Sequence, residues 1–322
     1  MTVAGVPSRG RAIRRAHRAR TRWIVAAVLV LAALAGGGWV LSAPRPAFDR
    51  TGNAIPDQGG DPDKGRLVFA AGDCASCHAS PGQTDRFRLG GGMALASLYG
   101  TFRVPNISPD PVDGIGRWRT VDLANALLSG VSPAGTHYYP VFPYSSFVHM
   151  TVADVGDLMA FLRTLPPVAG RPPPHELTFP FTIRRFLGFW KLLFLDRRAL
   201  PMDPGRGAAW NRGRYLVEAV AHCAECHSTR DVFGAVKPAT RFAGGPNPEG
   251  TGFAPNITPA GIGTWSVQDI VAALTTGRTP DGRVMGASMA DVVTNMAMLP
   301  QSDREAIAVY IKSLPPRPTP IP

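Results

Sequence analysis

The chain has 322 residues, of which 45% are hydrophobic and 18% charged. This length is enough for about two globular domains, and the composition excludes both a disordered tail and a solvated coiled coil. The 35 glycines and 32 prolines favour short helices joined by loops over a long regular bundle.

The formal net charge of +11 is concentrated at the N-terminus. Residues 1–22 contain seven arginines and no acidic residue, whereas all 23 acidic residues lie in the rest of the chain. The remainder is therefore only mildly basic, and this distribution argues against nucleic acid as a partner.

An uncharged stretch, Trp23–Leu41, follows the arginines and has a tryptophan near each end. About 20 apolar residues span a bilayer, and flanking arginines mark the cytoplasmic side. We therefore predict a single-pass anchor in the inner (cytoplasmic) membrane, with residues 1–22 in the cytoplasm and the rest in the periplasm. The alternative is a signal peptide cleaved after Ala43, which Pro44 disfavours.

The four cysteines occur in two C-x-x-C-H motifs, the attachment sequence for c-type haem. The first is Cys74 to His78 and the second is Cys223 to His227. Two thiols three positions apart can each add to one vinyl group of a porphyrin, with Cys74 and Cys77 serving one haem and Cys223 and Cys226 the other. The adjacent histidine then reaches the iron, so the sequence predicts two covalently bound haems c. The alternatives are two local disulfides or one four-cysteine zinc site, and a zinc site leaves both histidines unexplained.

The second half of the chain repeats the first at an offset of 147 to 150 residues. The repeated strings include Gly-Arg before each haem motif, Pro-Asn-Ile-Ser/Thr-Pro, Gly-Ile-Gly-x-Trp and a closing Leu-Pro-Pro. We predict an all-α protein with two tandem cytochrome c domains after the transmembrane helix. The boundaries are a basic segment 1–22, an anchor 23–41, a linker 42–63, domain 1 at 64–168, a connector 169–206, domain 2 at 207–316 and a tail 317–322.

Each repeat ends in a stretch with apolar residues at helical spacing, which predicts a terminal amphipathic helix. Thr151 and Ser302 precede an acidic residue three positions on, so both are predicted N-caps.

The second axial ligand largely sets what a haem does. Cysteine is excluded because all four thiols are committed to haem attachment. Met150 lies just before the terminal helix of the first repeat, and His149 is its main rival. The second repeat offers Met285, Met289, Met296 and Met298, among which spacing alone does not decide. Any of these methionines could instead fill the core.

These motifs together resemble the multihaem cytochrome c subunits of bacterial membrane-bound alcohol, aldehyde and gluconate dehydrogenases. The resemblance covers about residues 64–316 and includes Phe142-Pro143-Tyr144 and the string Ser288 to Val293. It implies Met150 and Met289 as the second iron ligands. Well-known members carry three haems, whereas this chain has two motifs.

Asn106 and Asn256, with Trp118 and Trp265, recur in both repeats. They either bond haem propionates or fix the loop beside the histidine, or they are ordinary turn and core residues. The aromatic and basic stretch within the connector predicts a helix wedged between the two domains, with its apolar face buried there. The alternative is a helix lying on the membrane.

The expected function is electron transfer without a catalytic site of the chain's own. The protein would accept electrons from a dehydrogenase catalytic subunit and pass them to quinone, another cytochrome or an oxidase. His/Met ligation leaves no open position on iron, which suits transfer better than substrate chemistry. The alternative is a dihaem peroxidase with one open or switchable haem.

Overall fold

A computed structural model describes residues 9–52, 54–248 and 252–321. Parts of four predicted segments lie outside this range: residues 1–8 of the basic segment, residue 53 of the linker, residues 249–251 of the second domain and residue 322 of the tail. The chain forms two units, Met1–Ala43 and Pro44–Pro322.

The first unit contains helix α1 (Arg9–Leu41). Within it, Arg20–Leu41 is 22 residues long with a mean hydropathy of 2.4, and it is the one described helix apolar and long enough to cross a membrane. At 1.5 Å per residue it extends for about 33 Å, which matches the hydrocarbon core of a bilayer. A retained anchor and a signal helix share this character.

The second unit is largely helical, as predicted. We call residues 44–206 the first half and residues 207–321 the second half. The helices of the first half are α2 (Pro62–Ala71), α3 (Cys74–His78), α4 (Thr120–Ser129), α5 (Tyr144–Phe147), α6 (Val152–Leu162) and α7 (Phe186–Phe194). The second half contains α8 (Ala208–Tyr215), α9 (Pro259–Ile262), α10 (Val267–Thr276), α11 (Ser288–Met296) and α12 (Gln301–Lys312). Helix α8 continues as a π-helical turn, Leu216–Val220, and two 3₁₀ turns follow at Cys223–Glu225 and Pro238–Thr240.

The all-α prediction needs one correction, because the second unit also contains two small antiparallel sheets. One has the order β1 (Ala94–Ser97), β2 (Gly100–Arg103) and β3 (Glu176–Leu177); the other pairs β4 (Gly245–Pro246) with β5 (Phe253–Ala254). Strands of two to four residues are too short to show an alternating apolar pattern, so they cannot be recognised from the sequence.

The first and last helices of each half cross at a glycine. A Cβ atom at Gly65 of α2 would lie 1.9 Å from the carbonyl oxygen of Asp157 in α6. At the equivalent Gly213 of α8, it would lie 1.8 Å from the carbonyl oxygen of Ala306 in α12. Both distances are far below van der Waals contact, so the two backbones touch only because glycine has no side chain.

The N-cap prediction is correct at the first terminal helix and wrong at the second. Thr151 caps α6, where its hydroxyl accepts a hydrogen bond from the Asp154 N–H at 3.1 Å. Helix α12 already begins at Gln301, so Ser302 lies inside it. The cause is Pro300, whose extended backbone makes it the N-cap.

The two halves do not separate into two compact units, because they pack directly against each other. Helix α5 contacts the π-helical turn of the second half, and α11 contacts α2 and α3 of the first. The two haem motifs are therefore brought into the same part of the molecule.

Candidate haem-binding sites

Each C-x-x-C-H motif forms one short helical turn, which is helix α3 in the first half and the 3₁₀ turn Cys223–Glu225 in the second. The residue before each turn has a left-handed backbone, with φ of 54° at Asp73 and 42° at His222. Non-glycine residues seldom adopt this region, so its recurrence shows that both motifs are shaped in the same way.

No disulfide joins any two of the four cysteines. Nor do three or more Cys, His, Asp or Glu side chains of the described residues converge as a metal site would require. Burial raises the pKa of Cys74 to about 12, helped by the Asp73 carboxylate, and raises the pKa of Cys223 to about 12 as well. Both groups are therefore neutral thiols near pH 7.

The two motif histidines are oriented by equivalent backbone carbonyls. His78 Nδ1 lies 2.9 Å from the Pro105 oxygen, and His227 Nδ1 lies 2.7 Å from the Pro255 oxygen. A carbonyl can only accept, so in each ring Nδ1 carries the proton and Nε2 keeps its lone pair for iron. Burial lowers the pKa of His78 to about 4 and lowers that of His227, which keeps both rings neutral.

Sequence reasoning missed the role of Pro105 and Pro255. A signal was available, because both prolines stand in the repeated Pro-Asn-Ile string. Both prolines act through the backbone carbonyl oxygen, however. The residue type does not predict which carbonyl oxygen a histidine will be hydrogen-bonded to.

Asn106 and Asn256 follow these prolines and fasten the loop that orients the histidine. The Asn106 amide donates to the Val168 oxygen at 2.7 Å, and the Asn256 amide donates to the Arg317 oxygen at 2.8 Å. The acceptors lie just beyond α6 and α12, so each buried asparagine ties the histidine loop to the end of its half.

Trp118 and Trp265 are partly buried and pack against the hydrophobic core. In each half, a cation at the end of the terminal helix donates to the tryptophan's carbonyl oxygen. The donors are Arg163 Nη2 at 3.3 Å from Trp118 and Lys312 Nζ at 2.7 Å from Trp265. The Gly-Ile-Gly-x-Trp turn is therefore fixed to the terminal helix in both halves.

Met150 is buried in the core cluster, directly before the N-cap of α6. The Nδ1 atom of neighbouring His149 lies 3.0 Å from the Arg198 carbonyl oxygen. This contact points one ring nitrogen of His149 toward the connector.

The second half has no methionine in the place of Met150. At the corresponding position stands Leu299, which is buried and cannot ligate iron. Met296 is buried and Met298 is packed against the core, whereas Met285 and Met289 are half-buried, before α11 and in its first turn.

The connector forms helix α7, which contacts both halves. Lys191 donates to the Gly130 oxygen at 2.6 Å in the first half, and Trp190 Nε1 donates to the Phe233 oxygen at 2.9 Å in the second. The wedged position that the sequence favoured is thus found, but the predicted burial of the apolar face is not. Phe186 is 52% exposed and Leu193 is 74% exposed.

Comparison with known proteins identifies the fold family. The family described as Cytochrome c matches residues 62–166. A protein named "Diheme cytochrome c-type" from Cereibacter sphaeroides is 47% identical over 293 residues, which are 89% of this chain and 96% of that protein. The fructose dehydrogenase cytochrome subunit of Gluconobacter japonicus is 37% identical over 257 residues, 78% of this chain and 52% of that one.

A nicotinate dehydrogenase subunit of Pseudomonas putida is 39% identical over 254 residues. That match covers 78% of this chain but 21% of the relative, so this chain corresponds to one part of a much longer protein. The shared region is therefore found both as nearly a whole protein and as one part of a longer one.

The chain belongs to the dihaem c-type cytochromes, within the wider cytochrome c family. Its residues fit covalently bound haem c, because each motif presents two thiols beside a neutral histidine with an oriented Nε2. When bound, haem c supplies an iron that takes up and releases one electron. The chain itself provides two thiols, a neutral histidine and partial burial at each motif.

Proposed function

We propose that this protein is a membrane-anchored dihaem electron carrier with its haem-binding unit on the periplasmic side. Cys74 and Cys77 attach the first haem, and Cys223 and Cys226 attach the second. The axial ligands are His78 with Met150 in the first half and His227 with Met289 in the second. The halves correspond to the cytochrome c domains predicted at 64–168 and 207–316.

The observation that carries this proposal is the recurrence of one site within one compact unit. Both halves present a histidine held by a proline carbonyl, at 2.9 Å for His78 and 2.7 Å for His227, beside two thiols. Because the halves also pack against each other, the chain would hold both haems within one unit.

The choice of Met289 in the second half rests on the resemblance to the dehydrogenase cytochrome subunits, in which the string Ser288 to Val293 contains it. Met296 and Met298 belong to the core packing, and Met285 lies before α11, where its N–H donates to the Gly277 carbonyl at 2.8 Å. Met289 lies in the first turn of α11, the helix that contacts the first half. Met ligation at both haems raises their potentials and closes both irons.

The relatives support a dehydrogenase as the electron donor. Several of them are named cytochrome subunits of fructose, alcohol or gluconate dehydrogenases. We propose that this chain accepts electrons from a dehydrogenase catalytic subunit and delivers them to quinone, another cytochrome or an oxidase. It would carry no catalytic site of its own.

The two-haem assignment predicts the haem content of thiol variants. The wild-type protein should carry two haems c per chain by the pyridine haemochrome assay and show the weak near-infrared band of Met–Fe(III). The variants Cys74→Ala/Cys77→Ala and Cys223→Ala/Cys226→Ala should each retain one haem, because each pair serves one porphyrin. A variant that still binds two haems, or a wild type that binds none, would contradict the assignment.

The carrier role is tested in membranes that contain the full-length protein. Fructose, nicotinate, alcohols and gluconate are added one at a time, and reduction of the c-type haem absorbance is followed. The informative substrate is one that reduces the c-type haems in wild-type membranes but causes no such change in membranes lacking this chain. The dehydrogenase that oxidises this substrate is then the electron donor. Hydrogen peroxide turnover by the purified protein would favour the peroxidase alternative instead.

A further inference from the structure

The segment that carries Met150 is held by the half of the molecule to which it does not belong. We call residues 144–151 the Met150 segment. Ser145 Oγ donates to Glu225 Oε1 at 2.7 Å, and Ser146 Oγ lies 3.3 Å from the same oxygen. Glu225 belongs to the second haem motif, so the two haem sites are joined by these hydrogen bonds.

Glu225 is also held in place by residues of its own half. Its other carboxylate oxygen accepts from Arg230 Nη2 at 2.8 Å, and Arg230 also donates to the Gly234 carbonyl at 2.8 Å. The Glu225 side chain is only 12% exposed. Burial would raise its pKa, but the Arg230 cation and the Ser145 hydroxyl outweigh burial and hold the pKa below its ordinary value.

The C-terminal end of the Met150 segment is held by a second contact. The Thr151 N–H donates to the Tyr215 hydroxyl oxygen at 3.1 Å, and that hydroxyl donates to the Asp154 carboxylate. Tyr215 is the last residue of α8, in the second half. Met150 therefore lies between two attachments that both originate in the other half.

The reverse contact exists but is of a different kind. Asn295 of α11 occupies the position equivalent to Ser146, and its amide donates to Ser76 Oγ at 3.1 Å and to the Asp73 carboxylate. The two halves thus exchange contacts between equivalent positions, as in a two-fold interface. The contacts from Glu225 and Tyr215, in contrast, lie on both sides of Met150 along the chain, four to five residues before it and one residue after it.

We propose that the second half positions Met150 on the first haem, with Glu225 and Tyr215 as positioning residues for a ligand in the other half. The inference rests on the proposed assignment of Met150 as an axial ligand. A functional ligand must be held within about 0.5 Å of its productive position by neighbours that are themselves fixed. A neutral thioether has no charge to hold it on iron, so these attachments secure its place.

The test removes each attachment without touching a haem motif. Tyr215→Phe removes one, and the double variant Ser145→Ala/Ser146→Ala removes the other. Both should keep two haems per chain, but the near-infrared Met–Fe(III) band should fall by up to about half, because one of two Met–iron bonds is weakened. Carbon monoxide should then bind the reduced protein at one haem, where the wild type resists it.

Tyr310→Phe is the matched control. Tyr310 also donates to a carboxylate, Glu218 Oε1 at 2.6 Å, but both residues belong to the second half, and among the described residues neither is hydrogen-bonded to the Met150 segment. The control variant should keep the full band and exclude carbon monoxide as the wild type does. Equal losses in Tyr310→Phe and Tyr215→Phe would show a general loss of packing and overturn the inference.

Met150→Ala separates this inference from the ligand assignment. If Met150→Ala leaves the band intact, the proposed ligand is wrong and the positioning inference fails with it. If Met150→Ala removes about half of the band while the Tyr215 and serine variants keep it, Met150 is the ligand but the second half does not position it. That second result overturns the inference alone.

Discussion

At the residue scale, the positions that tolerate a side chain least are the two glycines at the helix crossings. Gly65 and Gly213 each lie where a Cβ atom would fall within 2 Å of a facing carbonyl oxygen. A backbone carbonyl cannot rotate away as a side chain can, because its helix hydrogen bonds hold it. Both crossings bring the first helix of a half, which leads to the haem motif, against its terminal helix.

We expect Gly65→Ala to lower the free energy of unfolding by about 3 kcal/mol or more, since the added methyl group must push two helices apart. Chemical denaturation of the haem-loaded protein, followed by circular dichroism, measures this change. Gly156→Ala is the control, because Gly156 lies in α6 of the same helix pair but has open space around its Cβ position. It should instead stabilise the protein by up to ~1 kcal/mol through helix propensity.

At the element scale, helix α7 is attached to the rest of the molecule through a buried cation. Lys191 Nζ donates to the carbonyl oxygens of Ser129 and Gly130, at 2.8 and 2.6 Å, and lies 4.5 Å from the centre of the Tyr144 ring. These carbonyls end helix α4, where orphan acceptors and the helix dipole favour a cation. The apolar face of α7 remains open beside this attachment.

Lys191→Met should destabilise the protein by about 1–3 kcal/mol, because two buried carbonyls lose their donor while the side-chain volume is kept. Unfolding by denaturant measures the change. Leu193→Met is the control, since Leu193 is on the same helix but mostly exposed, and it should leave stability almost unchanged. Equal effects at both positions would contradict an anchoring role for Lys191.

The lowered pKa of Lys191 predicts that the free energy of unfolding depends on pH. Burial, with a smaller contribution from Arg197, lowers the pKa of Lys191 to about 7 from 10.5. Between pH 7 and 9 the unfolded chain therefore keeps a proton that the folded chain has released, so stability rises with pH. The difference in unfolding free energy between the wild type and Lys191→Met should change steadily over this range, in the direction that favours the wild type at higher pH. A constant difference would show that Lys191 does not titrate there.

At the scale of the whole molecule, the haem-binding residues and the apolar N-terminal helix belong to separate units. Pro44–Pro322 contains both C-x-x-C-H motifs, both histidine loops and the contacts between the halves. The proposed membrane attachment and the proposed electron transfer thus belong to different parts of the chain.

Replacing residues 1–43 by a cleavable signal peptide should release a water-soluble periplasmic protein that retains two haems and an unchanged visible spectrum. Cell fractionation combined with the haemochrome assay gives both readouts. The full-length protein, expressed in parallel, should remain with the membranes. If the shortened protein still sediments with them, another surface holds it there, and the exposed apolar face of α7 is the first to test.

The covalent chemistry of this protein can be predicted from its sequence. The two C-x-x-C-H motifs identified covalent haem, because attachment depends on the order of three residues along one turn. The repeat of these motifs, with the strings around them, indicated the family and the largely helical fold. Local patterns of this kind are readable because the residues that act together are neighbours in the chain.

The groups that complete each site come from distant positions in the chain, and they are identified only in the folded structure. The Pro105 carbonyl that orients His78 acts through its backbone, and the short sheets have too few residues to form a pattern. The packing of the halves as one unit, with Glu225 of one motif bonded to Ser145 beside Met150, joins residues 80 positions apart. Such contacts depend on the complementarity of two folded surfaces, which no local pattern of residues encodes.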